Sequence, residues 1–283
     1  MVGRKTKRLN LEQELPEGLL VDAVWLKKHG YSRQLWNHYV GTGWLEQSAP
    51  RVYRRPRGSL TWQQAVISLQ TLLDYPVVVG GRTALELQGY AHFLPQSTNE
   101  VHLYGPKSPP NWLYKLPAGV RFVYHNDRKL FRSPPVSRGP SSLSRQLAKG
   151  QDKSKSADAV HSNFTVQPWG QWDWPLTLST PERAVLELLD ELPDRESFHQ
   201  VDKLMEGLTN LSPRRLQKLL ADCRNVKVKR LFFYFADRHK HAWLKRLNKD
   251  SVDLGKGKRM LAKGGKLDRI YQITVPEDLD GVR

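Results

Sequence analysis

Arg33, Gln34, Asn37 and His38 are four polar side chains spaced i, i+1, i+4 and i+5, which places them on one face of a helix. A guanidinium so placed can donate to both major-groove acceptors of guanine, and a carboxamide can pair with the acceptor and donor of adenine. Leu35, Trp36, Tyr39 and Val40 take the same spacing one step round and form the apolar face that would anchor such a helix. Every amphipathic surface helix has a solvated face, so this pattern alone leaves a base-reading face and a merely wet one equally open. The flanking elements decide between them.

Upstream, Leu20, Val24 and Trp25 recur at helical spacing along Leu20–Lys28, and His29-Gly30 predicts the stop, with Gly30 in the left-handed position. Ser32 is placed to cap a second helix running from Arg33 to about Gly41. Two helices joined by a short glycine-containing turn form a helix-turn-helix, whose second helix enters the major groove N-terminal end first. Downstream, Trp44–Glu46 and Arg51–Arg55 read as two strands around Gln47-Ser48-Ala49-Pro50, and Pro56 ends the second. A basic hairpin after a recognition helix is a wing. The predicted DNA-facing set is therefore Ser32, Arg33, Gln34, Asn37 and His38 on the helix, with Arg51, Tyr53, Arg54 and Arg55 on the wing. The arginines would sit against phosphates or in the minor groove, adding affinity rather than base readout.

The charge distribution points the same way. The 283 residues suit about two domains at roughly 150 residues each. They carry 45 Lys+Arg against 28 Asp+Glu, a formal +17. Residues 1–60 hold 11 basic and 5 acidic side chains, and residues 224–269 hold 15 and 4, so the excess lies in two islands, one near each end. Two polyanion-binding surfaces are the natural reading. One cysteine, Cys223, excludes an internal disulfide framework and a cysteine-rich zinc site, and it is expected to be a buried, inert thiol. No apolar run approaches the roughly 18 residues of a membrane span. No apolar stretch follows the basic start, so the expected location is the cytoplasm. Lys5 to Arg8 reads as a disordered basic arm.

The expected organisation is a mixed α/β fold in four parts: a winged helix-turn-helix with its basic arm (1–60), a small α/β region (61–131), a flexible linker (132–158) and a helical, basic C-terminal domain (159–283). The α/β region has a helix at 61–74, a buried strand at 76–79 before Gly80-Gly81, a short helix at 82–88, and strands at 100–104 and 120–124. Gly80-Gly81 followed by Asn99-Glu100-Val101-His102 resembles the layout of polymerase-β-type nucleotidyltransferases, but Asn99 is neutral where a carboxylate must hold a hard dication. No catalytic residue, metal site or cofactor is expected, and His239 and His241 read as solvated. In the C-terminal domain Ser179-Thr180-Pro181-Glu182 opens a helix with a capping box. Further helices follow from Phe198, from Ser212-Pro213 and from Lys227 through His241 towards Trp243-Leu244, and an alternating strand runs over Ile270–Val275. Gly255-Lys256-Gly257-Lys258 lacks the Walker spacing. It could cradle phosphate between backbone N–H groups and ammonium groups, or be an exposed basic turn.

Taken together, Trp25-Leu26, Gly30-Tyr31-Ser32-Arg33-Gln34-Leu35, Gly43-Trp44-Leu45 and Val52-Tyr53-Arg54-Arg55-Pro56 resemble the N-terminal domain of AbiEi antitoxins. Gly80–Tyr90, Ser179–Ala184, Val228–Phe232, Gly255–Arg259 and Tyr271–Pro276 continue the resemblance in order from about Leu15 to Pro276. It implies a transcriptional autoregulator of a type IV toxin–antitoxin, phage-defence system. Such a protein binds operator inverted repeats in double-stranded DNA through the winged domain and counteracts an AbiEii-like nucleotidyltransferase toxin through the C-terminal domain. The antitoxic surface would fall on Lys227, Lys229, Arg230, Lys256, Lys258 and Arg259. The competing reading is an RNA- or tRNA-binding protein that uses the 224–269 island, where basic residues interleave with aromatic ones.

Overall fold

Leu11 and Leu15 lie one helical turn apart and are fully buried, and they decide how the chain begins. In the computed structural model, which describes residues 2–90, 100–133 and 163–280, the N-terminal segment is a helix, α1 (Val2–Glu14), rather than an arm. The run of charge reads as disorder only until these two leucines are given a core to enter. Arg55 secures the far end of the helix by donating from Nη1 to the carbonyls of Glu12 and Leu15, both at 3.2 Å. Cations favour helix C-termini for this reason.

Leu20–Asp22 is a strand, β1, and not the start of a helix. Leu19, Leu20 and Val21 are all buried, as consecutive residues of a one-sided helix cannot be. Asp22 then caps α2 (Ala23–Lys28), accepting from the Trp25 amide at 2.8 Å. Beginning the helix at Ala23 turns Val24 outward, 69% exposed, while Trp25 and Leu26 face in. After Gly30 (φ +82°), Ser32 caps α3 (Arg33–Gly41) by accepting from the Leu35 amide at 3.3 Å. The wing strands are β2 (Glu46–Ala49) and β3 (Val52–Arg54), so the turn between them shrinks to Pro50-Arg51, with Arg51 at φ +64°. The first strand thus lies closer to the turn than the expected Trp44–Glu46, while the second falls inside the expected Arg51–Arg55. β3 is central, antiparallel to β1 (Leu20↔Arg54) and to β2 (Glu46↔Arg54). The order α1-β1-α2-α3-β2-β3 is a winged helix.

A capping box at Thr61 and Gln64 opens α4 (Trp62–Thr71), which packs on β1; there the Leu20 amide donates to Ser68 Oγ at 2.8 Å. β4 (Val78–Val79), α5 (Gly81–Leu87), β5 (Glu100–Gly105) and β6 (Arg121–Asn126) match the expected α/β region. The sheet they build crosses the sequence-level boundary. A hairpin not read from the sequence, β7 (Phe164–Trp169) and β8 (Trp174–Ser179), joins it to give the order β6-β5-β4-β8-β7, with β4 parallel to β8 (Val79↔Leu178). Residues on the two sides of 132–158 therefore share one sheet. The stretch 134–158 itself and Asn99 lie outside the described residues.

Four helices follow: α6 (Pro181–Asp190), α7 (Phe198–Gly207), α8 (Pro213–Asp222) and α9 (Val226–His239). The capping box expected for α6 does not form. Its cap is Thr180, without a side-chain bond, and Glu182 instead accepts from the Ser212 amide (2.7 Å) and Arg215 Nη1 (2.8 Å). A small two-stranded sheet, β9 (Lys266–Asp268) and β10 (Ile273–Val275), closes the chain; Ile270, expected on a strand, is exposed in the turn between them. Among the described residues, no helix is long and apolar enough to cross a membrane.

Candidate nucleic-acid interface

The buried face of α3 is Leu35, Trp36 and Tyr39, and its opposite face presents Arg33, Gln34, Asn37 and His38 to solvent, with Ser32 exposed at the cap. The aromatic anchors continue outward: Tyr39 meets Trp44 edge-on with ring centroids 4.8 Å apart, and Trp36 lies 6.2 Å from Tyr53. Such a base fixes the helix rigidly while leaving four hydrogen-bonding side chains free to approach a groove.

The wing departs from its sequence reading. Arg51, at the turn, is exposed. Tyr53 is buried beneath α3, and Arg54 is 5% exposed, donating from Nε and Nη2 to Glu46 Oε2 (3.0 and 2.8 Å) and from Nη2 to the Gly58 carbonyl (2.9 Å). Arg55 is half-buried, committed to the end of α1 and to Glu17 Oε1 at 3.2 Å. The expectation that Arg54 and Arg55 lie on phosphates is corrected: one braces the two wing strands, the other ties the wing to α1. Arg54→Ala should accordingly cost about 1.5–3 kcal/mol of stability, the range for a lost charge-assisted hydrogen bond. Urea denaturation checks this, and a change confined to DNA affinity, with the midpoint intact, would count against it.

The same sorting applies to the C-terminal basic residues. Lys256, Lys258 and Arg259 are exposed. Lys229 and Arg230 are each 3% exposed, and Lys227 is half-buried. Arg230 donates to the carbonyls of Leu254 (2.7 Å), Gly257 (2.6 Å) and Gln272 (3.3 Å), and Lys227 Nζ donates to those of Asp190 (2.7 Å) and Leu192 (2.6 Å). These three residues leave the predicted surface set because α9 has packed neighbours around its N-terminal half: Lys227 and Arg230 turn inward onto backbone carbonyls, and Lys229 is buried. The turn around Gly255 (φ +61°) and Gly257 (φ +78°) is wrapped on the Arg230 guanidinium, with Lys256 and Lys258 projecting from it. His239 and His241 are not solvated either; they reach Asp202 Oδ1 and the Met205 carbonyl, each at 2.7 Å. Cys223 is buried, and burial pushes its thiol up to about 11, as befits an inert side chain.

Gly80-Gly81 caps and opens α5 directly after β4, as the nucleotidyltransferase layout requires, but the space against it is filled from within. A Cβ at Gly80 would collide with the Glu187 carboxylate and the Tyr104 ring, and the Gly81 amide donates to Glu187 Oε2 at 3.0 Å. The chain's own carboxylate occupies the place a phosphate would need. Glu100 pairs with Arg121 at the start of β5. Beyond it His102 Nδ1 lies 3.0 Å from His125 Nε2, and His125 Nδ1 lies 2.9 Å from Glu191 Oε1. Among the described residues no group of three or more His, Cys, Asp or Glu side chains could hold a metal ion.

Burial, with His125 beside it, pushes the His102 imidazole down to about 4. The unfolded chain protonates this residue near 6.5, so the depressed value stabilises the fold above that pH, and the contribution is lost as pH falls towards 4. It amounts to roughly 3 kcal/mol over the interval. Replacing His102 by Gln should flatten the loss of urea stability between pH 7 and pH 4.5. Parallel pH profiles for the two proteins would refute the assignment.

Two family models match the chain. One, for the N-terminal domain of AbiEi antitoxin transcriptional regulators, covers residues 4–96; the other, for transcriptional regulators that are AbiEi antitoxins of type IV toxin–antitoxin systems, covers residues 140–276. No curated protein matches. Among solved structures, the crystal structure of the RV2827C protein from Mycobacterium tuberculosis superposes with a TM-score of 0.52 at 16% identity, covering 90% of this chain and 85% of that one, a likeness of fold. The winged helix thus falls within the first matched segment and the basic helical region within the second, and the chain belongs to the AbiEi antitoxin family of transcriptional regulators.

Proposed function

We propose that the protein represses its own operon by binding inverted repeats in duplex DNA, and that it neutralises a nucleotidyltransferase toxin encoded with it. The observation that carries the DNA-binding reading is the exposure of Arg33, Gln34, Asn37 and His38 on one face of a helix whose other face is locked into a winged-helix core. The N-terminal residues Arg33, Gln34 and Asn37 read bases, and Arg51 at the wing turn contacts phosphate. Exposed Lys256, Lys258 and Arg259 belong to the antitoxic surface, which has the family membership behind it rather than a geometry of its own.

Gel-shift titration with the upstream duplex, an equal-length scrambled duplex and bulk tRNA as competitors tests the first part. Preference for the upstream duplex supports repression. Preference for tRNA favours the RNA-binding reading of the basic C-terminal residues. Co-expression tests the second part: growth no better than with the toxin alone would remove the antitoxin role.

A further inference from the structure

Resting on the DNA-binding reading, we infer that α1 is a second DNA-contacting element, with Lys7 and Arg8 placed against the phosphate wall of the groove that α3 enters. Lys7 Nζ donates to the Gly30 carbonyl at 3.1 Å, in the turn immediately before the N-terminus of α3. The Arg8 guanidinium lies 5.2 Å from the ring centroid of Trp44, the residue that leads from α3 into the wing. Two successive residues of α1 thereby reach the segments that precede and follow the recognition helix. A helix roughly 10–12 Å across fills a major groove about 12 Å wide, so what stands beside its entry turn is sugar–phosphate backbone.

The charge on this unit sharpens the assignment. Its five carboxylates all have partners within the fold. Glu46 holds Arg54, Glu17 holds Arg55 and Arg57, Glu12 lies 3.6 Å from Arg8, Glu14 accepts from Tyr31 and Asp22 caps α2. The wing arginines are consumed by those pairings, leaving Arg51 as the exposed cation of the hairpin. Exposed Lys7, whose bond is a solvent-facing one to a neutral carbonyl, keeps its charge, and Arg8, 54% exposed, is held only by a surface i,i+4 pair with Glu12 at 3.6 Å, the weak kind of pair that a phosphate can displace. Buried Leu11 and Leu15, together with the Arg55 clamp, hold α1 in place, so these two cations arrive on a rigid element rather than on a tethered arm.

The test measures duplex affinity against salt concentration for the full-length protein, with both upstream and scrambled duplexes. Each phosphate contact contributes about 0.9 to the slope of log affinity against log salt. Lys7→Ala should therefore lower the slope by about 0.9, and Lys7→Ala with Arg8→Gln by about twice that, with the upstream-to-scrambled ratio unchanged. Arg8→Lys keeps the charge without the planar stacking partner and should retain the wild-type slope, which separates charge from packing on Trp44. If the wild-type protein binds no duplex, the DNA-binding reading fails and this inference with it. If the wild type binds and the Lys7 and Arg8 variants keep its slope, or lose only the sequence ratio, the role of α1 alone is overturned.

Discussion

Arg183→Met is expected to cost about 3–5 kcal/mol, the range for removing one partner of a buried ion pair. Arg183 is 1% exposed, donates from Nε to Glu187 Oε1 at 2.7 Å and from Nη2 to Asp127 Oδ2 at 3.1 Å, and lies between the rings of Phe131 (4.3 Å) and Phe164 (4.8 Å). Methionine fills part of the space and makes none of the charge-assisted bonds. It leaves the Asp127 and Glu187 carboxylates in the core, the second of them against the Gly80-Gly81 turn. The cost has a pH signature. Burial already pushes the Asp127 carboxyl up to about 6 despite Arg183, and Glu187 is raised by burial as well. Raised acids stabilise the fold below their unfolded values and lose that contribution as pH rises through the folded ones. Taking away the cation raises both further, so the penalty should be larger at pH 8 than at pH 5. Urea midpoints at the two pH values measure it; an unchanged midpoint at pH 8 would show that the cluster is not an energetic centre.

The second large effect is on base selection. Arg33→Ala or Asn37→Ala should each remove about 1–3 kcal/mol of discrimination, the value of one bidentate base contact. Neither change touches the buried face of α3 or the Ser32 cap, so the melting temperature should hold. The affinity ratio of upstream to scrambled duplex at fixed salt is the relevant measurement. Asn37 carries no charge, so its loss should leave the salt slope where it was. A ratio equal to that of the wild type in both variants would show that this face does not read bases.

The sequence was most legible where a single local rule decides the outcome. The bounds of α3, the left-handed Gly30 and the Ser32 cap were all readable because apolar spacing, a glycine and a hydroxyl agree over a dozen residues. Illegible features depended on partners far along the chain. Whether Arg54 faces water or Glu46 follows from the register of β2 on β3, in which Glu46 stands opposite Arg54. The inward turn of Lys229 and Arg230 depends on what surrounds α9, which the run of basic and aromatic residues does not disclose. α1 was hidden because a dense run of cations outweighed two leucines, and the β7–β8 hairpin because β8 pairs with a strand far back in the chain, Leu178 with Val79 of β4. On α3 the exposed polar face and its apolar anchors were visible in advance; on the wing and on α9, cations were visible but their burial was not.

The pairing of Val79 with Leu178 has a practical consequence. A protein cut between Phe131 and Phe164 would leave β4 with a bare edge on the N-terminal piece and β8 with one on the C-terminal piece, and exposed edges invite aggregation. Loss of either proposed activity after such a cut would then report misfolding rather than the whereabouts of that activity. Point changes at solvent-facing side chains are the way to test whether the proposed repression and toxin neutralisation belong to separate regions of this molecule.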